Sequence, residues 1–188
     1  MQQVILGLLI LHGPLSLYAV QRQFQRGISL FYSASFGSIQ RALRQLADRG
    51  LATVGEGADA RGSKPYAVTD AGYRAWHAWM LSPLTGGDAE TAALARVFFL
   101  GVLTDDDERR AVARSVRARI DADLAELEHV ARDVDAAEIP DEFADVFVFQ
   151  RATLDYGIRS NRLALQWCDE LDRRLGRPPG EASSRFEK

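Results

Sequence analysis

Cysteine is nearly absent from these 188 residues: Cys168 stands alone. An intrachain disulfide and a Cys-cluster zinc site are both excluded. The three histidines, His12, His77 and His129, are scattered and form no metal-ligand spacing. No apolar run is long enough for a bilayer. Val4–Leu11 is too short, has no basic leader and is followed by no small-residue cleavage pattern. Neither a membrane span nor secretion is therefore expected, and the cytoplasm is the expected compartment. No Ser/His/Asp or Cys/His arrangement can be assigned. Cys168 beside Trp167 reads as a small packing residue rather than a nucleophile. The acidic run Asp105-Asp106-Asp107-Glu108 complements the dipole of a helix start more simply than it binds a metal. The reading is of a non-enzyme with no catalytic residue, metal or cofactor.

What is present is an ordinary apolar content, 47%, sufficient for a core, in a length that allows one large domain or two small ones. The net charge of −3 hides an asymmetry, because residues 1–81 carry +4 and residues 82–188 carry −7. A basic amino-terminal part joined to an acidic carboxy-terminal part is expected where only the first meets phosphate.

The basic part is organised around residues 35–50. Ser35 is suited to an N-cap and Gly50 to a left-handed stop. Between them Ile39, Ala42, Leu43 and Leu46 recur at helical spacing, and Ser38, Gln40, Arg41, Arg44 and Gln45 occupy the other face. Arg and Gln make paired hydrogen bonds to base edges, so this helix suits a major groove, although an ordinary solvated amphipathic helix fits the same pattern. Before it, residues 2–12 read as a buried helix stopped by Gly13-Pro14, and Ser16 opens a second helix that Gly27 ends. Leu17, Val20, Gln21 and Phe24 form its inward face, with Arg22 and Arg26 outward. After it, Leu51–Val54 and Lys64–Thr69 read as two strands joined by a Gly-rich loop, a β-hairpin wing with Arg61 and Lys64 bracketing its tip. Thr69 or Asp70 caps a further helix through Trp76 and Trp79. Three helices in helix-turn-helix order followed by a hairpin predict a winged helix over 1–81.

Ser82–Gly87 reads as a linker. Three helical segments follow over 88–176. The first is Asp88–Leu103, with Leu94, Val97, Phe98 and Val102 inward. The second is Asp105–Asp135, with Val112, Val116, Ile120, Leu124, Leu127 and Val134 inward. The third is Asp141–Leu175, with Phe143, Phe147, Leu154, Ile158, Leu165 and Leu171 inward. A rhythm that long argues for helices packed lengthwise, and two such helices cannot bury both stripes without a partner. A second copy is the simplest partner, and the twofold dimer the commonest oligomer. The tail from 177 to 188 is expected to be disordered. The fold class is thus mainly α with a small β wing: a winged helix-turn-helix domain, then an all-α dimerisation domain.

Residues 4–81 resemble the winged-helix domain of PadR-family transcriptional regulators. The matching stretches are Gly13-Pro14-Leu15 with Tyr18-Ala19-Val20, Ser35-Phe36-Gly37-Ser38-Ile39 with Ala42-Leu43 and Leu46, Gly50-Leu51, and Lys64–Thr69 with Gly72. The family's His-Gly before the tyrosine of the second helix is Ser16-Leu17 here. Its Tyr-Pro in the third helix is Gln40-Arg41, and its Tyr-Tyr in the second wing strand is Pro65-Tyr66. The second departure puts two base-capable side chains where the family has an aromatic, which leaves DNA binding expected but puts the family's usual operator in question. Arg96-Val97-Phe98-Phe99 after Leu94, and Leu154-Asp155-Tyr156-Gly157 with Trp167, resemble the helical domain of the longer members.

The resemblance implies a homodimeric repressor that binds double-stranded DNA and releases it on binding a small effector. On this reading Gln40 and Arg41 read bases, while Ser35, Ser38, Arg44, Arg61, Ser63 and Lys64 hold phosphates. Two such helices about 34–36 Å apart call for an inverted-repeat operator. An effector would alter the angle between the helical arms and spoil that spacing. An aromatic effector pocket formed by Trp76, Trp79, Phe98, Phe99 and Trp167 competes with a plain core role for those rings. The alternative is a winged-helix module that contacts protein rather than DNA; the basic front of 38–49 speaks against it.

Overall fold

Helix α1, Gln2–His12, is apolar on every side and accordingly sits inside, with Val4, Ile5, Leu6, Leu8 and Leu9 at most 2% exposed. This computed structural model describes residues 1–56, 64–86 and 89–176. Gly13, at φ +75°, turns the chain out of α1. Leu15–Ser16 then form a two-residue strand, β1, and Ser16 caps helix α2, Leu17–Arg26, its Oγ accepting from the Ala19 N–H at 3.4 Å. A 3-10 turn at Ile28–Leu30 leads to helix α3, Phe36–Asp48. Gly50, at φ +68°, ends that helix, and the Leu51 N–H returns to the Leu46 carbonyl at 2.8 Å.

Strands β2 (Ala52–Val54) and β3 (Pro65–Val68) pair antiparallel, Thr53 opposite Ala67. The hairpin expected at 51–69 is therefore present. Strand β1 adds to the other edge of β3, Leu15 opposite Tyr66, giving the order β1-β3-β2. Two residues are too few to show strand alternation, so this edge left no periodic trace in the sequence.

Thr69 ties the wing to helix α4, Asp70–Leu81. Its Oγ1 accepts from the Gly72 N–H at 3.0 Å and donates to the Gly50 carbonyl at 2.7 Å. Gly72 is required here by contact, since a Cβ would stand 2.0 Å from the Leu51 carbonyl oxygen.

The packing divides the described chain into two units, Met1–Glu108 and the part from Arg109 onward. The division falls inside helix α6, Asp106–Ala136, and not at the 82–87 linker. Helix α5, Ala89–Phe98, followed by a 3-10 turn at Leu100–Val102, belongs with the first unit. Its anchor is Phe99, 0% exposed, whose ring lies against Gly7 and meets Trp76 edge-on at 6.5 Å. The inward set Leu94, Val97, Phe98 and Val102 assumed unbroken helix to Leu103. The buried face is instead offset, running through Ala89, Ala93, Arg96, Leu100 and Leu103: Phe99 is buried, Phe98 is exposed, and Leu94, Val97 and Val102 are half-buried.

The second unit is an antiparallel pair, α6 and helix α7, Ala144–Leu175, with a 3-10 turn at Asp141–Phe143 before α7. Ion pairs bridge it along its length. Arg117 reaches Asp169 and Asp172, Arg162 meets Glu128 at 2.7 Å, and Arg151 meets Asp135 at 2.8 Å and also Asp155. The Arg151 guanidinium, donating to Asp135, holds that carboxyl below the usual carboxylate range. Val112, Val116, Ile158 and Leu171 are buried as expected, but Phe143 is exposed and Ile120, Leu124, Leu127, Val134, Phe147, Leu154 and Leu165 are half-buried. Two helices alone cannot enclose that many apolar side chains. The tail 177–188 lies outside the described residues. Among the described residues no helix is long and apolar enough to cross a membrane.

Substituting Gly72→Ala forces the wing and α4 apart at the Leu51 carbonyl. Thermal or urea unfolding should show a loss of about 1–3 kcal/mol, the usual range for overpacking, whereas Gly101→Ala, with open space around it, should fall well below that.

Candidate nucleic-acid interface

The back of α3 fixes what its front presents. Ile39, Leu43 and Leu46 are 0% exposed and Ala42 5%, packed towards α1 and α2. That anchoring turns Gly37, Arg41 and Arg44 outward on one face, with Gln40 beside them. Arg41 and Arg44 are exposed and Gln40 half-buried, and none of the three side chains makes a hydrogen bond or an ion pair among the described residues. The Arg41 guanidinium lies back along its own helix, Nη1 being 3.7 Å from the place a Cβ on Gly37 would take.

The two serines behave differently. Ser35 Oγ accepts from the Ser38 N–H at 3.2 Å and donates to Ser38 Oγ at 3.2 Å. Ser38 Oγ donates to the Ser35 carbonyl at 2.7 Å. Both hydroxyl protons are thus directed into the helix start, so the role the geometry carries for Ser35 is capping.

Further along, Gln45 accepts from Gln2 at 2.8 Å and Arg49 donates to Gln2 at 2.9 Å, which fastens the end of α3 to the start of α1. Neither bond is signalled by spacing, because the partners are more than forty residues apart. Lys64 is exposed where the wing re-enters the sheet at β3. Arg61 and Ser63 lie outside the described residues. On α2, Arg22 and Arg26 are exposed, as their helical positions imply.

Of the aromatic set, four rings lie in the first unit, in different surroundings. Trp76 and Phe99 are core side chains, each 0% exposed. Phe98 packs edge-on against Phe99 at 5.0 Å and reaches Phe31 after α2 at 5.8 Å. Half-buried Trp79 carries the Arg96 guanidinium over its ring at 5.2 Å. Trp167 sits on α7, in the other unit.

Arg96 is a residue whose role the sequence did not indicate. Only 2% exposed, it donates to the Ser82 carbonyl and, at 2.9 Å, to Ser82 Oγ, so it closes the end of α4. Burial lowers its affinity for a proton. Its Nε has no partner among the described residues. Burial likewise pushes the Cys168 thiol up, away from the thiolate a nucleophile needs. Among the described residues no cluster of His, Cys, Asp and Glu is arranged to hold a metal.

A buried-backed helix preceded by helix and turn, and followed directly by an antiparallel hairpin, defines a winged helix-turn-helix. Residues 92–176 match the family described as virulence activator alpha C-term. The chain is also similar to solved structures of *Bacillus subtilis* PadR. In the complex with operator DNA the identity is 22%, covering 93% of this chain and 98% of that one at a TM-score of 0.41. In the complex with p-coumaric acid it is 22%, covering 94% and 96% at 0.40. The *Vibrio cholerae* virulence activator AphA is 19% identical over 93% and 98%, at 0.39. No curated protein matches the chain in sequence.

Removing the cap by Ser35→Ala should lower stability by about 0.5–2 kcal/mol. Urea melts followed by circular dichroism check this, and Ser35→Asp, which restores an acceptor, should recover most of the loss.

Proposed function

We propose that the chain is a sequence-specific DNA-binding transcriptional regulator of the PadR type, acting as a homodimeric repressor in the cytoplasm. The observation that carries this is the front of α3. Gln40, Arg41 and Arg44 stand on a rigidly backed helix with no internal partner among the described residues. An unpaired guanidinium pair on a surface helix, in a basic half of an acidic chain, suits a phosphate-lined groove. Arg41 and Gln40 read base edges; Arg44 and Lys64 hold phosphates.

The dimer rests on the second unit. Along α7, Phe149, Tyr156 and Leu163 are 74%, 75% and 65% exposed and fall at seven-residue steps. Such a stripe is the pattern by which one helix recognises another, and a second copy supplies the matching stripe. A twofold dimer then asks for an inverted-repeat operator. A small aromatic effector that releases the DNA completes the proposal; with Trp76 and Phe99 in the core, Trp79 and Phe98 are the rings of the expected set that remain accessible in the first unit.

The test is fluorescence anisotropy of the full chain on its own upstream DNA and on a scrambled duplex, at two salt concentrations, with sedimentation for the oligomer. Salt-sensitive preference for the upstream DNA supports the regulator. No binding to either duplex at low salt would leave a protein-contact module. Within that assay Arg41→Ala should cost about 1–3 kcal/mol on the preferred DNA and relax discrimination. Lys64→Ala should weaken all duplexes alike and reduce the salt slope by about one.

A further inference from the structure

The first turn of α3 carries two residues that the fold does not ask for. Gly37 is one. Its φ is not positive, and a Cβ there would meet only the movable end of Arg41 at 3.7 Å. Neither backbone conformation nor packing requires glycine, yet glycine in a helix is less favourable than alanine. Phe36 is the other. It begins α3 and leaves 36% of its surface in water, although the rest of the helix front is polar. Its ring is held against that of Tyr18 at the start of α2, with centroids 5.5 Å apart and planes at 40°, and Tyr18 is itself 37% exposed. A fixed, part-exposed aromatic stands next to a glycine without a side chain, over which only the movable Arg41 guanidinium lies, so the leading end of the helix offers an apolar ring and close access to its backbone.

We infer that Phe36 and Gly37 form a reader for the 5-methyl group of a pyrimidine in the major groove, thymine in unmodified DNA. Apolar side chains, phenylalanine among them, recognise that methyl, which is the one apolar feature of the base edges in that groove. Leading-end residues of such a helix are those that reach base edges. Gly37 lets the backbone approach closely enough for contact; Tyr18 keeps the Phe36 ring from turning away. Arg41, one turn on from Gly37 and movable, suits a guanine neighbouring that pyrimidine. The inference rests on the DNA reading above and adds which chemical group the helix start selects.

The experiment begins by selecting duplexes from a randomised pool with the full chain. Each thymine of the enriched site is then replaced by uracil, which removes only the methyl. At one thymine per half-site, wild type should lose about three- to fivefold in affinity per methyl, the equivalent of one buried methyl group. Phe36→Ala should bind more weakly but no longer distinguish thymine from uracil there. At the same position 5-methylcytosine paired with guanine should bind better than cytosine, which separates recognition of the methyl from recognition of the base pair. Gly37→Ala should lose more than tenfold on the selected site while its Tm holds or rises, so misfolding cannot account for the loss. Tolerance of uracil at every position, an equal methyl effect in wild type and Phe36→Ala, or wild-type affinity in Gly37→Ala would each overturn the inference. A pool that yields no enriched site refutes the DNA reading itself and this inference with it.

Discussion

The burial of Ile39, Ala42, Leu43 and Leu46 against α1 and α2 is the contact on which the first unit depends. A helix has one rotational freedom about its axis, and four side chains at 0–5% exposure remove it. Once the back is locked, the directions of Gln40, Arg41 and Arg44 follow from the 3.6-residue repeat alone. Their long side chains need no further support to stay on one face. The polar tether of Gln45 and Arg49 to Gln2 adds a second hold, at the trailing end. Helix α1, apolar from Val4 to Leu11, therefore serves the candidate interface as the surface on which α3 is seated.

The wing is fixed by a different device. Thr69 bonds both the end of α3, through the Gly50 carbonyl, and the start of α4, through the Gly72 N–H. One hydroxyl thus joins three elements, and Gly72 allows the approach. Small shifts at this junction would move β3 and with it Lys64 relative to α3, because the chain between Thr69 and Lys64 is the strand itself.

Much of this was legible in the sequence for a physical reason: helix starts and stops are local. Ser16, Ser35, Thr69, Gly13 and Gly50 each act within a few residues, and the caps at Ser16, Ser35 and Thr69 are made as the residue types imply. What escaped were features set by distant partners. Strand β1 exists because β3 offers it an edge. The buried face of α5 and the turn after it is offset from the expected one, with the Phe99 ring seated over Gly7 of α1. Arg96 reads as an ordinary helix cation until Ser82 and Trp79 close around it. At the candidate interface the pattern placed Arg41 and Arg44 on the solvent side of α3, where the structure has them, while the return of the Ser38 hydroxyl to the Ser35 carbonyl depends on a rotamer that residue type does not encode.

The hairpin of α6 and α7 carries ion pairs from end to end but buries apolar side chains unevenly. Near its open end Val112, Ala113, Val116, Cys168 and Leu171 are buried beside the pairs of Arg117 with Asp169 and Asp172. Nearer the turn, where Ala131 and Ile158 are the buried apolar residues among those described, Arg162 with Glu128 and Arg151 with Asp135 join the helices. Screening by salt weakens exposed charge pairs and leaves apolar burial intact. The ionic strength of the surroundings therefore acts on the hairpin unevenly, loosening the turn end more than the open end. The same turn end begins the exposed stripe from Phe149, so fraying there would also disorder the face proposed for a second copy.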